Sequence, residues 1–170
     1  MPPGGNALRV DADLQTIVVG YDGTRPAERA LRRAAHLARA FGATVIVADV
    51  AAPEPLQATP GAFGFPPYYP ASLEGQGIRA DEALWRRHRA RIEAVFAETG
   101  VAHEFAGVVG EPAQEIVEVA ERRGADLIVV GTREPGLLER LLEGSVSQGV
   151  ARRARCDVLI VHPAEDDDRR

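Results

Sequence analysis

Two short stretches carry the residue types from which an anion or nucleotide site is built. The first is Tyr21-Asp22-Gly23-Thr24. A carboxylate at Asp22, just past a run of β-branched residues, suits a metal-bound phosphate or a ribose hydroxyl. It suits equally a turn in which the aspartate bonds its own backbone. Thr24 is a helix-capping residue type, and Pro26 fits the first turn that follows. The second stretch opens with Gly131-Thr132-Arg133-Glu134 and closes on Gly144-Ser145. Gly131 lets the chain turn tightly where an apolar run ends. Gly144-Ser145 stands where a helix begins, with Ser145 and Gln148 at capping-box spacing. Free N–H groups at a helix start suit an anion, so Gly144 and Ser145 fit a phosphate as well as a simple cap.

Several other chemistries are excluded by residue type. All 20 basic residues are Arg, and Lys is absent. A chain without Lys forms no Schiff base with pyridoxal phosphate, carries no Walker A lysine, and is no ordinary protein kinase. The dinucleotide pattern Gly-x-Gly-x-x-Gly is missing after the first apolar run. Ser145-Val146-Ser147-Gln148-Gly149 lacks the first glycine of a nucleophile elbow. His36, His88, His103 and His162 show no metal-ligand spacing and read as structural or exposed. Cys156 is the only cysteine. It opens an apolar run and reads as a small buried hydrophobe rather than a reactive thiol. The net charge of -5 argues against general nucleic-acid binding. The cluster Arg86, Arg87, Arg89 and Arg91 reads as the solvated face of a helix.

These residues need elements to position them. The runs Thr16–Tyr21, Ala43–Val50, Asp126–Gly131 and Val158–Val161 are continuous and β-branched, as in strands buried on both faces of a parallel sheet. Ala102–Val109 is more polar and suits an edge strand. Ala27, Leu31, Ala34, Ala38 and Phe41 form a helical stripe stopped by Gly42. Leu84, His88, Ile92, Val95 and Phe96 form a second, ended by Gly100. Pro112, Ile116, Val119 and Ala120 form a third, and Val146, Val150 and Ala151 a fourth. Five strands alternating with four helices predict an α/β fold, a doubly wound parallel sheet of order 3-2-1-4-5 with helices on both faces. In that order strands one and four lie side by side at a switch point, and ligands sit outside the carboxyl ends of such strands.

The remaining segments are irregular. Residues 1–13 read as a flexible N-terminal segment, and 164–170 as a charged tail. The stretch 51–76 holds six prolines together with Phe63, Phe65, Tyr68 and Tyr69. It reads as a long insertion loop, packed on the domain or a partner, or serving as a lid over the crevice. No apolar stretch has the length of a membrane span, and the first residues lack the features of a signal peptide. The expectation is a cytoplasmic protein that contacts no membrane.

At this point the chain resembles the universal stress protein family over about Thr16 to Pro163. The nucleotide-binding members carry Gly-x2-Gly-x9-Gly-Ser/Thr, which falls here on Gly131, Glu134, Gly144 and Ser145. Asp22-Gly23-Thr24 matches the family's Asp-Gly-Ser/Thr, and Gly110-Glu111-Pro112 its Gly-x-Pro. The resemblance implies a stress-response regulatory protein, non-catalytic, with a crevice for ATP and Mg2+ at the ends of strands one and four. Asp22 would face ribose or the metal-phosphate, and Val50 would read adenine through its backbone. Gly131, Gly144 and Ser145 would hold the phosphates. A homodimer paired through the last strand, Asp157 to His162, is also implied, and a free apolar edge rewards such pairing.

Glu134 departs from the motif, since the family has glycine there. Two like charges at about 4 Å repel by roughly 1 kcal/mol in water and about 4 kcal/mol at intermediate dielectric. Arg133 and Arg140 are cations within reach of phosphate oxygens, and Gly136 offers an alternative close approach. Three readings stand side by side: a nucleotide-binding regulator, a dimeric interaction module that binds no ATP, and a slow ATPase with Asp22 or Glu134 as base.

Overall fold

The computed structural model describes residues 14–51, 82–132 and 146–163. The expectations for 1–13, for nearly all of the 51–76 insertion, for Arg133, Glu134, Gly144 and Ser145, and for 164–170 fall outside the described residues. The elements are β1 (Thr16–Tyr21), α1 (Arg25–Phe41), β2 (Thr44–Ala51), α2 (Glu82–Thr99), β3 (His103–Val109), α3 (Pro112–Arg123), β4 (Leu127–Gly131), α4 (Val146–Arg153) and β5 (Asp157–Val161). They form one parallel sheet of order β3-β2-β1-β4-β5.

The helix boundaries follow from local chemistry. Thr24 caps α1 by accepting the Ala27 N–H, and Gly42 closes the helix in the left-handed region at φ 72°. Glu111 caps α3 through both carboxylate oxygens, at 3.3 Å from the Ala113 nitrogen and 2.8 Å from that of Gln114. Asp126 ties the start of β1 to β4: its Oδ2 accepts from the Gln15 and Thr16 N–H groups, each at 2.9 Å.

Strand alternation divides the core between two faces. Ile17, Val19, Tyr21, Val45, Val47 and Val129 point to one face and pack under α1 and α2. Val18, Ile46, Ala48, Val50, Ile128 and Val130 point to the other and pack under α3 and α4. β3 is an outer strand with most of its residues half-buried, as its polar composition predicts. β1 and β4 pair directly, Val18 with Ile128 and Val19 with Val129, so the switch point lies between their carboxyl ends.

Candidate functional site

At the end of β1 the chain enters a turn governed by Asp22. Its Oδ1 accepts from the Thr24 N–H at 3.0 Å and from the Thr24 hydroxyl at 2.6 Å. The Thr24 oxygen accepts in turn from the Ala27 N–H at 3.4 Å. The self-bonded turn expected of such an aspartate is therefore present. Asp22 is also exposed, and its second oxygen has no hydrogen-bond partner among the described residues. The result is a carboxylate held in place at an open strand end.

Val50 lies one strand over. Thr44 turns its N–H toward Gln15 on the β1 side at 2.8 Å, and Val50 shares its parity. The last registered pair of β1 and β2 is Tyr21 with Asp49. The main-chain groups of Val50 thus face the β1 side, one step past that pair. On the other flank, Gly131 ends β4. Its φ is not positive, so the tight turn expected of this glycine is not what requires it. A Cβ there would run into the backbone carbonyl of Pro26 in the first turn of α1. Close approach between β4 and α1 selects glycine. The Arg29 guanidinium reaches the next residue, donating to the Thr132 carbonyl at 3.3 Å.

Beneath the β1 turn lies a polar pair that sequence reasoning missed. Asp49 and His88 are 1% and 6% exposed. His88 Nδ1 stands 3.0 and 2.9 Å from the two carboxylate oxygens of Asp49. The Tyr21 ring meets the imidazole edge-on, with centroids 5.3 Å apart. Burial pushes the Asp49 carboxyl above its ordinary range. The hydrogen bond and charge of His88 pull the other way, and Asp22 adds a small upward push. Burial likewise raises the Tyr21 phenol, with Glu28 adding to the effect and Arg91 opposing it. A faint signal was present in the sequence. Asp49 is the one charged residue of an apolar strand, and His88 the one polar residue of an apolar helical stripe.

The arginines of α2 are exposed as expected, and Arg91 and Arg89 also reach other elements. Arg91 donates to the Gly23 carbonyl at 3.4 Å, and Arg89 lies 4.5 Å over the Phe105 ring. Cys156 precedes β5 and is half-buried rather than fully buried, with its thiol pushed up chiefly by desolvation. Among the described residues no group of three His, Cys, Asp or Glu side chains is arranged to hold a metal. No helix among them is long and apolar enough to cross a membrane.

Asp22, Val50 and Gly131 therefore come to the carboxyl ends of three adjacent strands, β1, β2 and β4. A fixed, exposed carboxylate suits the hydroxyls of a nucleoside, and Val50, itself buried, brings its main chain to the same end of the sheet. The residues expected to seat phosphate, Arg133, Gly144 and Ser145, fall outside the described residues.

Comparison with known proteins extends this picture. Residues 14–162 match the profile of the universal stress protein family. A universal stress protein of Thermus aquaticus is 39% identical over 148 residues, covering 86% of this chain and 98% of its own. Another from Methanocaldococcus jannaschii is 36% identical over 145 residues, covering 85% and 80%. Among solved structures, a universal stress protein in complex with cAMP is 33% identical with a TM-score of 0.60, over 89% of this chain and 98% of that one. The universal stress protein of Archaeoglobus fulgidus in complex with dAMP is 25% identical with a TM-score of 0.58, over 86% and 96%.

Proposed function

The chain belongs to the universal stress protein family, and from that premise we propose that it is a non-catalytic regulator of the stress response that binds an adenine nucleotide. The nucleotide lies in the crevice at the carboxyl ends of β1 and β4. Asp22 faces the ribose or a metal-bound phosphate, and the Val50 main chain reads adenine. Gly131, Gly144, Ser145 and Arg133 hold the phosphates. Two copies pair through β5, whose outer edge carries no strand partner among the described residues.

The observation that carries this reading is the Asp22 carboxylate, locked by Thr24 at the exposed end of β1 beside β4. Two relatives solved with cAMP and with dAMP support the choice of adenine nucleotide. Each of those ligands has a single phosphate. A short phosphate chain also suits Glu134, because a carboxylate in place of the motif glycine repels a long anionic tail. When ATP is the ligand, Mg2+ would neutralise that tail, and Asp22 is the residue to hold the metal-phosphate.

Isothermal titration of the wild type and Glu134→Gly, with cAMP and with ATP and Mg2+, tests the reading. The wild type is expected to bind cAMP at micromolar strength. ATP is expected to bind Glu134→Gly about tenfold more tightly than the wild type, the equivalent of about 1.4 kcal/mol of relieved repulsion. Glu134 also favours a second reading, a dimeric interaction module with a closed crevice. A wild type silent to both ligands, with ATP binding gained in Glu134→Gly, would establish it. Silence in both proteins would remove the nucleotide site altogether. Steady phosphate release from ATP would instead mark a slow ATPase.

A further inference from the structure

We propose that the buried Asp49–His88 pair is a clasp that positions the Gly23 turn, and with it Asp22, for the ligand of the crevice. The inference rests on the nucleotide-binding reading above and adds His88 to it as a positioning residue.

The imidazole is held at both ends. Nδ1 lies within hydrogen-bond distance of both oxygens of Asp49 on β2. At the other end, Nε2 abuts the α-carbon of Gly23. A Cβ built on Gly23 would collide first with Nε2, then meet Cδ2 at 2.9 Å and Cε1 at 3.1 Å. Gly23 also has φ +75°, a conformation that disfavours any other residue. Two independent constraints therefore select glycine at this position, and one of them is the histidine ring itself.

The bonding resembles the Asp–His half of a catalytic triad, but the resemblance ends at Nε2. That nitrogen lies against Gly23, in a residue that is 6% exposed. The pair fastens rather than transfers protons. Arg91, one turn further along α2, grips the same residue from outside by donating to the Gly23 carbonyl at 3.4 Å. Thus α2 holds Gly23 at its α-carbon and at its carbonyl. Asp22 precedes Gly23 and Thr24 follows it, and these two are bonded to each other. Moving Gly23 must move the Asp22–Thr24 lock. The charged and titratable groups around the clasp are Tyr21 on β1, Asp22 in the turn, Glu28 on α1 and Arg91 on α2.

A merely structural role for His88, that of satisfying a buried carboxylate, is separable by experiment. His88→Asn keeps an N–H donor near the position of Nδ1 but removes the end that abuts Gly23. Amide hydrogen exchange by NMR is followed at Thr24 and Ala27, with Ile128 and Val129 of β4 as reference. His88→Asn is expected to speed exchange at Thr24 and Ala27 by about tenfold while β4 is unchanged. Affinity for cAMP is expected to fall about tenfold. Arg91→Gln, a change on the exposed face of α2, is expected to loosen the same two amides by a smaller factor. It decides the matter should His88→Asn not fold. Unchanged exchange at Thr24 and Ala27, or an increase shared equally by β4, would overturn the clasp. A wild type that binds no cAMP would overturn the nucleotide reading alone, and the exchange rates would still judge the clasp.

Discussion

The two faces of the sheet are built on different terms. Under α3 and α4 the core is apolar from Val18 to Val150, and no ionisable side chain is buried there among the described residues. Under α1 and α2 an equally apolar layer ends, at the crevice, in Asp49 and His88. The first face is specified by hydrophobic pattern and tolerates exchange of similar volumes. The second places a desolvated carboxylate beneath the proposed ligand, an arrangement that burial alone disfavours. What it contributes is a fixed relation between β2, α2 and the β1 turn. Apolar contacts, which lack direction, do not supply such a relation.

The contrast is broken most directly by a mutant cycle. His88→Ala leaves Asp49 buried without its partner and is expected to destabilise the fold by about 3 kcal/mol in urea denaturation. Ile128→Ala, on the apolar face, is expected to cause a loss of similar size, about 3 kcal/mol, through a cavity. The two sites differ in what a second change does. Adding Asp49→Ala to His88→Ala is expected to restore part of the lost stability, because the orphaned charge is gone. Strict additivity at Asp49 and His88 would show that the two side chains do not act as a pair.

A smaller effect is expected at the junction of the two flanks. Gly131→Ala forces a methyl group against the Pro26 carbonyl, a backbone atom that cannot rotate aside. Thermal unfolding should report a loss of about 1–3 kcal/mol. A neutral outcome would mean that β4 and α1 separate at little cost.

The smallest effect lies in the pH dependence. Burial raises the Asp49 carboxyl above its unfolded value, so in the window between them the folded state holds more protons. Stability must then fall as pH rises from the ordinary carboxylate range through the raised value. Asp49→Asn removes that slope, whereas a charge-neutral change on the α3 and α4 face should leave it. Urea midpoints between about pH 4 and about pH 7 test this. Parallel curves for wild type and Asp49→Asn would contradict the assigned direction.

Much of the architecture was legible in the residues. Val, Ile and Leu runs of strand length, helical stripes ended by Gly42 and Gly100, and the Pro26 start imply the alternation and hence the order 3-2-1-4-5. The same order put Asp22 and Gly131 beside each other, because the switch point follows from topology. Asp49 and His88 were not legible as a pair. They are 39 residues apart, and each reads locally as one polar residue among apolar ones. Arg91 read as part of a solvated stripe, since nothing local links it to a carbonyl on another element.

The amino-acid sequence by itself determined what periodicity and composition can carry: the elements, their order, the excluded chemistries and the family likeness. These depend on neighbours along the chain, where residue type and spacing fix the outcome. Tertiary structure alone decided which long-range partners meet. Gly131 is glycine because Pro26 approaches it, and at Gly23 a histidine ring from α2, beside the turn's own positive φ, fills the space a side chain would need. Contacts of this kind arise only when separate elements pack, and the local pattern of one element carries no record of the atoms that another brings to it.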